Sequence, residues 1–140
     1  MENIQRSLVL IKPDAVERNL VGKIIDAYEG EKLKITALRM ITVDEILAKK
    51  HYEEHISKPF FNELLEYITR SPLVAIVLQG ENAIEKVRKI NGNTNPEMAE
   101  YGTIRKKYGI DKTKNSVHAS DCEISAEREI SIWFPEGVKK

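Results

Sequence analysis

A chain of 140 residues, 41% hydrophobic and 31% charged, has the balance of a folded protein rather than a disordered one, and it can bury a core without disulfides or metal. Lysine plus arginine equals aspartate plus glutamate at 22 each, so no global field draws the chain to nucleic acid or an anionic membrane. The lone Cys122 excludes an intrachain disulfide, the first residues lack a secretory pattern, and no apolar run approaches the roughly 20 residues that span a bilayer; the expectation is one soluble, cytoplasmic domain over 1–140.

In chain order, Ser7 to Ile11 is a compact apolar run ended by Lys12-Pro13-Asp14, which predicts a buried strand, a turn and a short helix. Leu20, Val21, Ile24, Ile25 and Tyr28 recur at helical spacing and predict an amphipathic helix over 20–31. Residues 33–43 alternate as a long strand with one buried face. Asp44 caps a helix through Lys50, with Glu45 in its first turn. Pro59 opens another, with Phe60, Phe61, Leu64, Leu65 and Ile68 as its apolar stripe. Leu73 to Leu78 reads as a third strand and Asn82 to Ile90 as a helix.

From Asn91 to Lys114 the pattern loosens into a long irregular segment, of the kind that usually carries function. A short strand around Val117 and a helix from about Glu123 to Trp133 complete the order β-α-β-α-β-α-β-α. This order favours an α+β, ferredoxin-like, four-stranded antiparallel sheet (a split β-α-β) with helices on one face. A parallel doubly wound sheet is the alternative that periodicity leaves open.

The chemistry concentrates around His118. It stands between the last strand and the helix that carries Glu129, and an imidazole held by a carboxylate is a nucleophile at neutral pH. Ser120 is placed to cap that helix or to bond Glu129. Lys12 follows a strand, Arg88 edges a helix, and Thr94 and Arg105 lie in the irregular segment. Singly each is an ordinary surface residue; together they suit phosphoryl transfer, in which positioning and charge stabilisation dominate.

Other signatures fail. No glycine-rich phosphate loop, dinucleotide fingerprint or protein-kinase element is present. His51 and His55 share helical spacing but lack the glutamate a zincin needs and any third ligand, so both read as solvent-facing. Cys122 reads as a small helix-start residue, and Lys106-Lys107 as a solvated turn.

From about Arg6 to Phe134 the chain resembles the nucleoside diphosphate kinases. The matching segments are Ile11-Lys12-Pro13-Asp14-Ala15-Val16, His51-Tyr52, Lys58-Pro59-Phe60-Phe61, Gly92-Asn93-Thr94-Asn95-Pro96, Gly102-Thr103-Ile104-Arg105 and the N-x-x-H-x-S-D stretch from Asn115 to Asp121, in register and in order. The resemblance implies a ping-pong enzyme that moves a γ-phosphate from a nucleoside triphosphate to a nucleoside diphosphate through a phosphohistidine. It further implies that His118 is the nucleophile and Glu129 its orienter, with Ser120 bonded into the pair. Lys12, Tyr52, Arg88, Thr94 and Arg105 would hold phosphates, and Asn115 with Lys12 would read the ribose 3′-hydroxyl. Phe60 would stack on the base, His55 and Leu64 would line the same cleft, and Mg²⁺ would be held mainly by the nucleotide phosphates.

The chain departs from the family's usual pattern at Ala119, Cys122, Tyr101, Lys106-Lys107 and Lys112, the last at a position usually apolar against the base. A homo-oligomer is implied, a hexamer ahead of a tetramer. Two other classes stand beside this reading. One is a catalytically silent relative, against which the intact His118, Glu129, Lys12, Arg88 and Arg105 argue. The other is a nucleic-acid-binding domain, against which zero net charge and the lack of an aromatic-rich RNA-binding strand argue.

Overall fold

A computed structural model describes residues 3–138. Strand β1 (Ile4–Ile11) leads through Lys12 into the short helix α1 (Pro13–Glu17), whose proline at the first position suits a helix start. Helix α2 (Val21–Gly30), strand β2 (Lys34–Ile41) and helix α3 (Glu45–His51) follow. The Asp44 carboxylate caps α3 by accepting the Leu47 amide at 2.8 Å. A 3₁₀ turn (Glu53–His55) then leads to α4 (Phe61–Thr69), β3 (Leu73–Glu81) and α5 (Ala83–Asn91).

The stretch expected to be structureless contains two short elements, a 3₁₀ turn at Pro96–Met98 and helix α6 (Ile104–Tyr108). Their starts are fixed by side chains: the Asn95 side chain accepts the Glu97 amide at 3.2 Å, and the Thr103 hydroxyl accepts that of Lys106 at 3.3 Å. These are local capping bonds, which hydrophobic periodicity does not register. Strand β4 (Val117–Ala119) and helix α7 (Glu123–Trp133) close the described chain.

The sheet runs β2-β3-β1-β4 with every neighbouring pair antiparallel, so the ferredoxin-like arrangement is the fold and the doubly wound alternative is not. The expectation of helices on one face is corrected: they cover both. Leu8, Val9, Leu10 and Ile11 are all fully buried, and successive strand residues point to opposite faces, so each side of β1 requires a cover. Val9 and Ile11 pack with Ile24 and Tyr28 of α2 and Val87 of α5. Leu8 and Leu10 pack with Ala48 of α3, Ile68 of α4, and Ile130 and Trp133 of α7.

The boundary of α4 is also corrected. It begins at Phe61, and Phe60 precedes it at the cap position, 44% exposed and outside the apolar stripe. No helix among the described residues is long and apolar enough to cross a membrane.

Candidate active site

The sheet register decides where the His118 ring goes. On β4, His118 pairs with Leu10, while Val117 and Ala119 pair with Ile11 and Val9. Alternation therefore sends Val117 and Ala119 into the α2–α5 core and turns His118 to the face covered by α3 and α7.

Helix α7 supplies the partner. Ala126, Glu129, Ile130 and Trp133 form its buried stripe, so a carboxylate occupies an otherwise apolar face and is only 7% exposed. Such a group requires partners. His118 Nε2 lies 2.8 Å from Glu129 Oε1, and the Ser120 hydroxyl donates to the same oxygen at 3.0 Å. Ser120 is itself fixed, because its Oγ accepts the Leu8 amide at 3.1 Å. It does not cap α7; Cys122 takes that position. With Nε2 donating to the carboxylate, the His118 Nδ1 lone pair is the free one, and the side chain is 28% exposed.

The ring opens into a cleft of about 370 Å³ lined by Lys12, Tyr52, His55, Arg88, Thr94, Arg105 and Asn115 together with His118 and Glu129. The Lys12 amide donates to Ser116 O at 2.8 Å, carrying the β1–β4 pairing past its last ladder residue. Its ammonium donates to Asn115 Oδ1 at 3.0 Å and to Thr113 O at 3.3 Å. Burial, with the Arg105 guanidinium nearby, pulls its pKa down to about 8. Asn115 is 1% exposed, and both its amide protons are committed, to the carbonyls of Thr94 and Lys112 at 3.0 Å each.

Arg105 lies on α6, not in irregular chain, and is anchored by donating to Gly92 O at 2.9 Å and Val117 O at 2.7 Å. Its Nε is buried without a protein partner, and burial lowers its pKa. Gly92 itself is required by Thr103: it holds φ +87, and a Cβ there would stand 2.6 Å from Thr103 Oγ1. Arg88 and Thr94 are exposed at the cleft.

Two expected residues stand apart. Phe60 and Leu64 are not in the wall of the cleft, although the Phe60 ring lies 5.6 Å from that of His55, which is. Tyr52 and His55 form an aromatic run with Phe60, and burial raises the Tyr52 phenol to about 12.

The reading of His51 and His55 as solvent-facing is overturned. Both are half-buried, and both line the cleft. Helix α3 turns His51 toward α7, where Trp133 Nε1 donates to its Nδ1 at 3.2 Å. Asp121, Ser125 and Arg128 also line the cleft and were not singled out as site residues. Ser125 lies one turn before Glu129, so the helical spacing that marks the carboxylate was the available signal. Among the described residues no cluster of three or more His, Cys, Asp and Glu side chains is arranged to cage a metal.

A ferredoxin-like domain presenting a carboxylate-held imidazole into a cationic cleft is a phosphate-handling protein by its chemistry. The family model described as nucleoside diphosphate kinase matches residues 5–138. A nucleoside diphosphate kinase of Clostridium perfringens (strain SM101 / Type A) is 61% identical over 133 residues, covering 95% of this chain and 93% of the relative. One from Pyrococcus furiosus is 51% identical over 142 residues, covering 99% and 88%. The crystal structure of the Encephalitozoon cuniculi nucleoside diphosphate kinase superposes with a TM-score of 0.93 at 37% identity, covering 100% of this chain and 93% of that one. That of Aquifex aeolicus gives 0.91 at 42% identity, covering 94% and 96%. The chain belongs to the nucleoside diphosphate kinase family.

Proposed function

We propose that this chain is a nucleoside diphosphate kinase that works through His118 Nδ1. The nitrogen lone pair attacks the γ-phosphorus of a nucleoside triphosphate, the bond to the β–γ bridging oxygen breaks, and the diphosphate leaves with that electron pair. A second nucleoside diphosphate then attacks the phosphohistidine through a terminal β-phosphate oxygen, and the N–P bond breaks. The observation that carries this reading is the bond between His118 Nε2 and Glu129 Oε1, which commits one ring nitrogen and leaves the other for the cleft.

Lys12, Tyr52, Arg88, Thr94 and Arg105 hold the phosphates. The donors of Asn115 are already used, so its Oδ1 accepts the ribose 3′-hydroxyl beside the Lys12 ammonium. Phe60 stacks on the base, with His55 and Leu64 beside it. A π-face is common to every base, so the base itself is weakly discriminated.

Magnesium suits this donor set as an ion carried by the nucleotide. Glu129 is occupied by His118 and Ser120, and the exposed Asp121 carboxylate at the cleft would hold water of the ion's shell. When bound, the ion neutralises phosphate charge. The enzyme is proposed to be cytoplasmic, to work as a homo-oligomer, a hexamer ahead of a tetramer, and to take nucleoside di- and triphosphates rather than nucleic acid.

Incubation with γ-labelled ATP tests the reading. An acid-labile, alkali-stable phosphoenzyme is expected, discharged by any nucleoside diphosphate and missing from a folded His118→Ala variant. Label persisting in that variant would move the nucleophile elsewhere.

A further inference from the structure

His51 has no part in the reaction above, yet its ring packs directly on the nucleophile. The two imidazole centroids are 4.8 Å apart with planes at 84°. Trp133 packs on the same His51 ring, its centroid 5.4 Å away at 71°, and donates its indole N–H to His51 Nδ1. An indole nitrogen only donates, so Nδ1 must stay unprotonated while that bond exists. A neutral His51 then carries its proton on Nε2. Trp133 is 1% exposed and sits one turn past Glu129, so the helix that supplies the carboxylate also fixes the neighbouring ring.

A positioning task for that ring follows from the softness of a histidine's second side-chain torsion. Torsions between tetrahedral and planar atoms have broad wells, so one hydrogen bond at Nε2 leaves the His118 imidazole free to tilt. An aromatic neighbour packed nearly perpendicular to it restricts that motion.

We propose that His51 is a positioning residue for phosphoryl transfer: held by Trp133 as the Nε2–H tautomer, its uncharged ring keeps the His118 imidazole seated on Glu129 with Nδ1 aimed into the cleft. This rests on His118 being the phosphoryl carrier. Charge at His51 is opposed by burial and by the groups around it. The acidic side chains lining the same cleft are Glu54, Asp121 and the Glu129 carboxylate of α7, the last bonded to His118. His118 faces His51 from β4, Lys12 from the end of β1, Arg128 from α7 and His55 from the 3₁₀ turn, with the Tyr52 ring 4.8 Å away; burial and these groups drive its pKa well below the ordinary value. Protonating Nδ1 would also break the bond from Trp133.

The test combines imidazole ¹⁵N chemical shifts in the nucleotide-free protein with steady-state kinetics. In the wild type, His51 should show an unprotonated Nδ1 and a protonated Nε2 throughout the pH range of turnover. In Trp133→Phe an Nδ1-protonated form of His51 should appear. There kcat should fall about tenfold with KM unchanged, because orientation is lost and nucleotide contacts are not. His51→Asn guards against a folding defect: its Oδ1 can still accept the Trp133 proton, so the protein stays folded while the ring is gone, and kcat should again fall about tenfold. A wild-type His51 that is charged or protonated on Nδ1 overturns the proposal, as do variants that lower the melting temperature while keeping full kcat. Phosphoenzyme formed without His118 would instead sink the carrier assignment, and the tautomer measurement, made without nucleotide, separates the two failures.

Discussion

Asp14 Oδ2 accepts the backbone amide of Ser116 at 3.1 Å, joining residues 102 positions apart. Its other oxygen accepts the Tyr67 hydroxyl of α4, and Asp14 is 2% exposed. Ser116 holds φ +77, a backbone region unfavourable to a residue with a side chain, and it lies between Asn115 and the strand that carries His118. One buried carboxylate therefore keeps a strained residue in place at the centre of the site.

Replacing Asp14 by alanine should destabilise the protein by about 3 kcal/mol, because the buried Ser116 amide and Tyr67 hydroxyl lose their acceptor. Turnover should fall as well. Urea unfolding measures the first effect; a loss under about 0.5 kcal/mol would mean that water replaces the carboxylate.

Glu129→Gln keeps the shape of the side chain and removes its charge. The amide holds the imidazole less firmly and stabilises less positive charge on it, so kcat should drop roughly tenfold to a hundredfold with nucleotide affinity preserved. The phosphoenzyme should still form. A complete block would give Glu129 a larger role than orientation.

Lys12 fixes a pH dependence. Its pKa in the folded protein is about 8, below the ordinary 10.5. Between those values the unfolded chain binds a proton that the folded chain does not, so Lys12 makes stability rise with pH across that window. Binding runs the other way: on the proposed role of Lys12, the ammonium that would meet a phosphate is lost as pH passes 8, so the Kd of ADP should climb above that pH. Lys12→Met should bind weakly at every pH and show a flattened profile. Titration of ADP binding by calorimetry from pH 7 to 10 measures it, and an unchanged slope in the variant would assign the titration to another group.

Gly92→Ala should cost roughly 2 kcal/mol or more, since it combines φ +87 with a Cβ placed 2.6 Å from Thr103 Oγ1. Gly102, also at positive φ but with open space around it, provides the control: its alanine variant carries strain alone and should cost less. Equal losses at the two positions would show that crowding by Thr103 has no effect.

Much of the fold was legible because periodicity reports burial. The apolar run at β1 and the stripe of α7 both describe faces that meet a core. Strand β2 does not keep the one buried face its alternation predicts: the register shifts between Ile35 and Ala37, sending them to opposite cores, and Leu38 and Met40 are exposed. What periodicity cannot report is which core. Leu8 to Ile11 are buried at both parities, and that continuity was the mark of a sheet covered on two sides. Spacing alone puts His51 at the surface, and it errs for a related reason. The environment of His51 comes from Trp133, 82 residues away, and no local pattern encodes that contact. Asp14 lies in a segment that carried the family resemblance, yet a residue whose partners are a distant amide and a distant phenol has no spacing signature. Glu129 was more accessible, since a carboxylate in a buried helical stripe needs a partner, and an upstream histidine supplies one.

The anchoring of Asn115 has a consequence for how nucleotide preference can drift. Its amide grips carbonyl oxygens of the main chain at Thr94 and Lys112, and every residue has one. Position 112 can thus exchange its side chain freely while the Lys12 cradle stays taut. Under the proposed binding mode, mutation at that rim would change the surface offered to the base while the Asn115 anchor beside Lys12 stays in place.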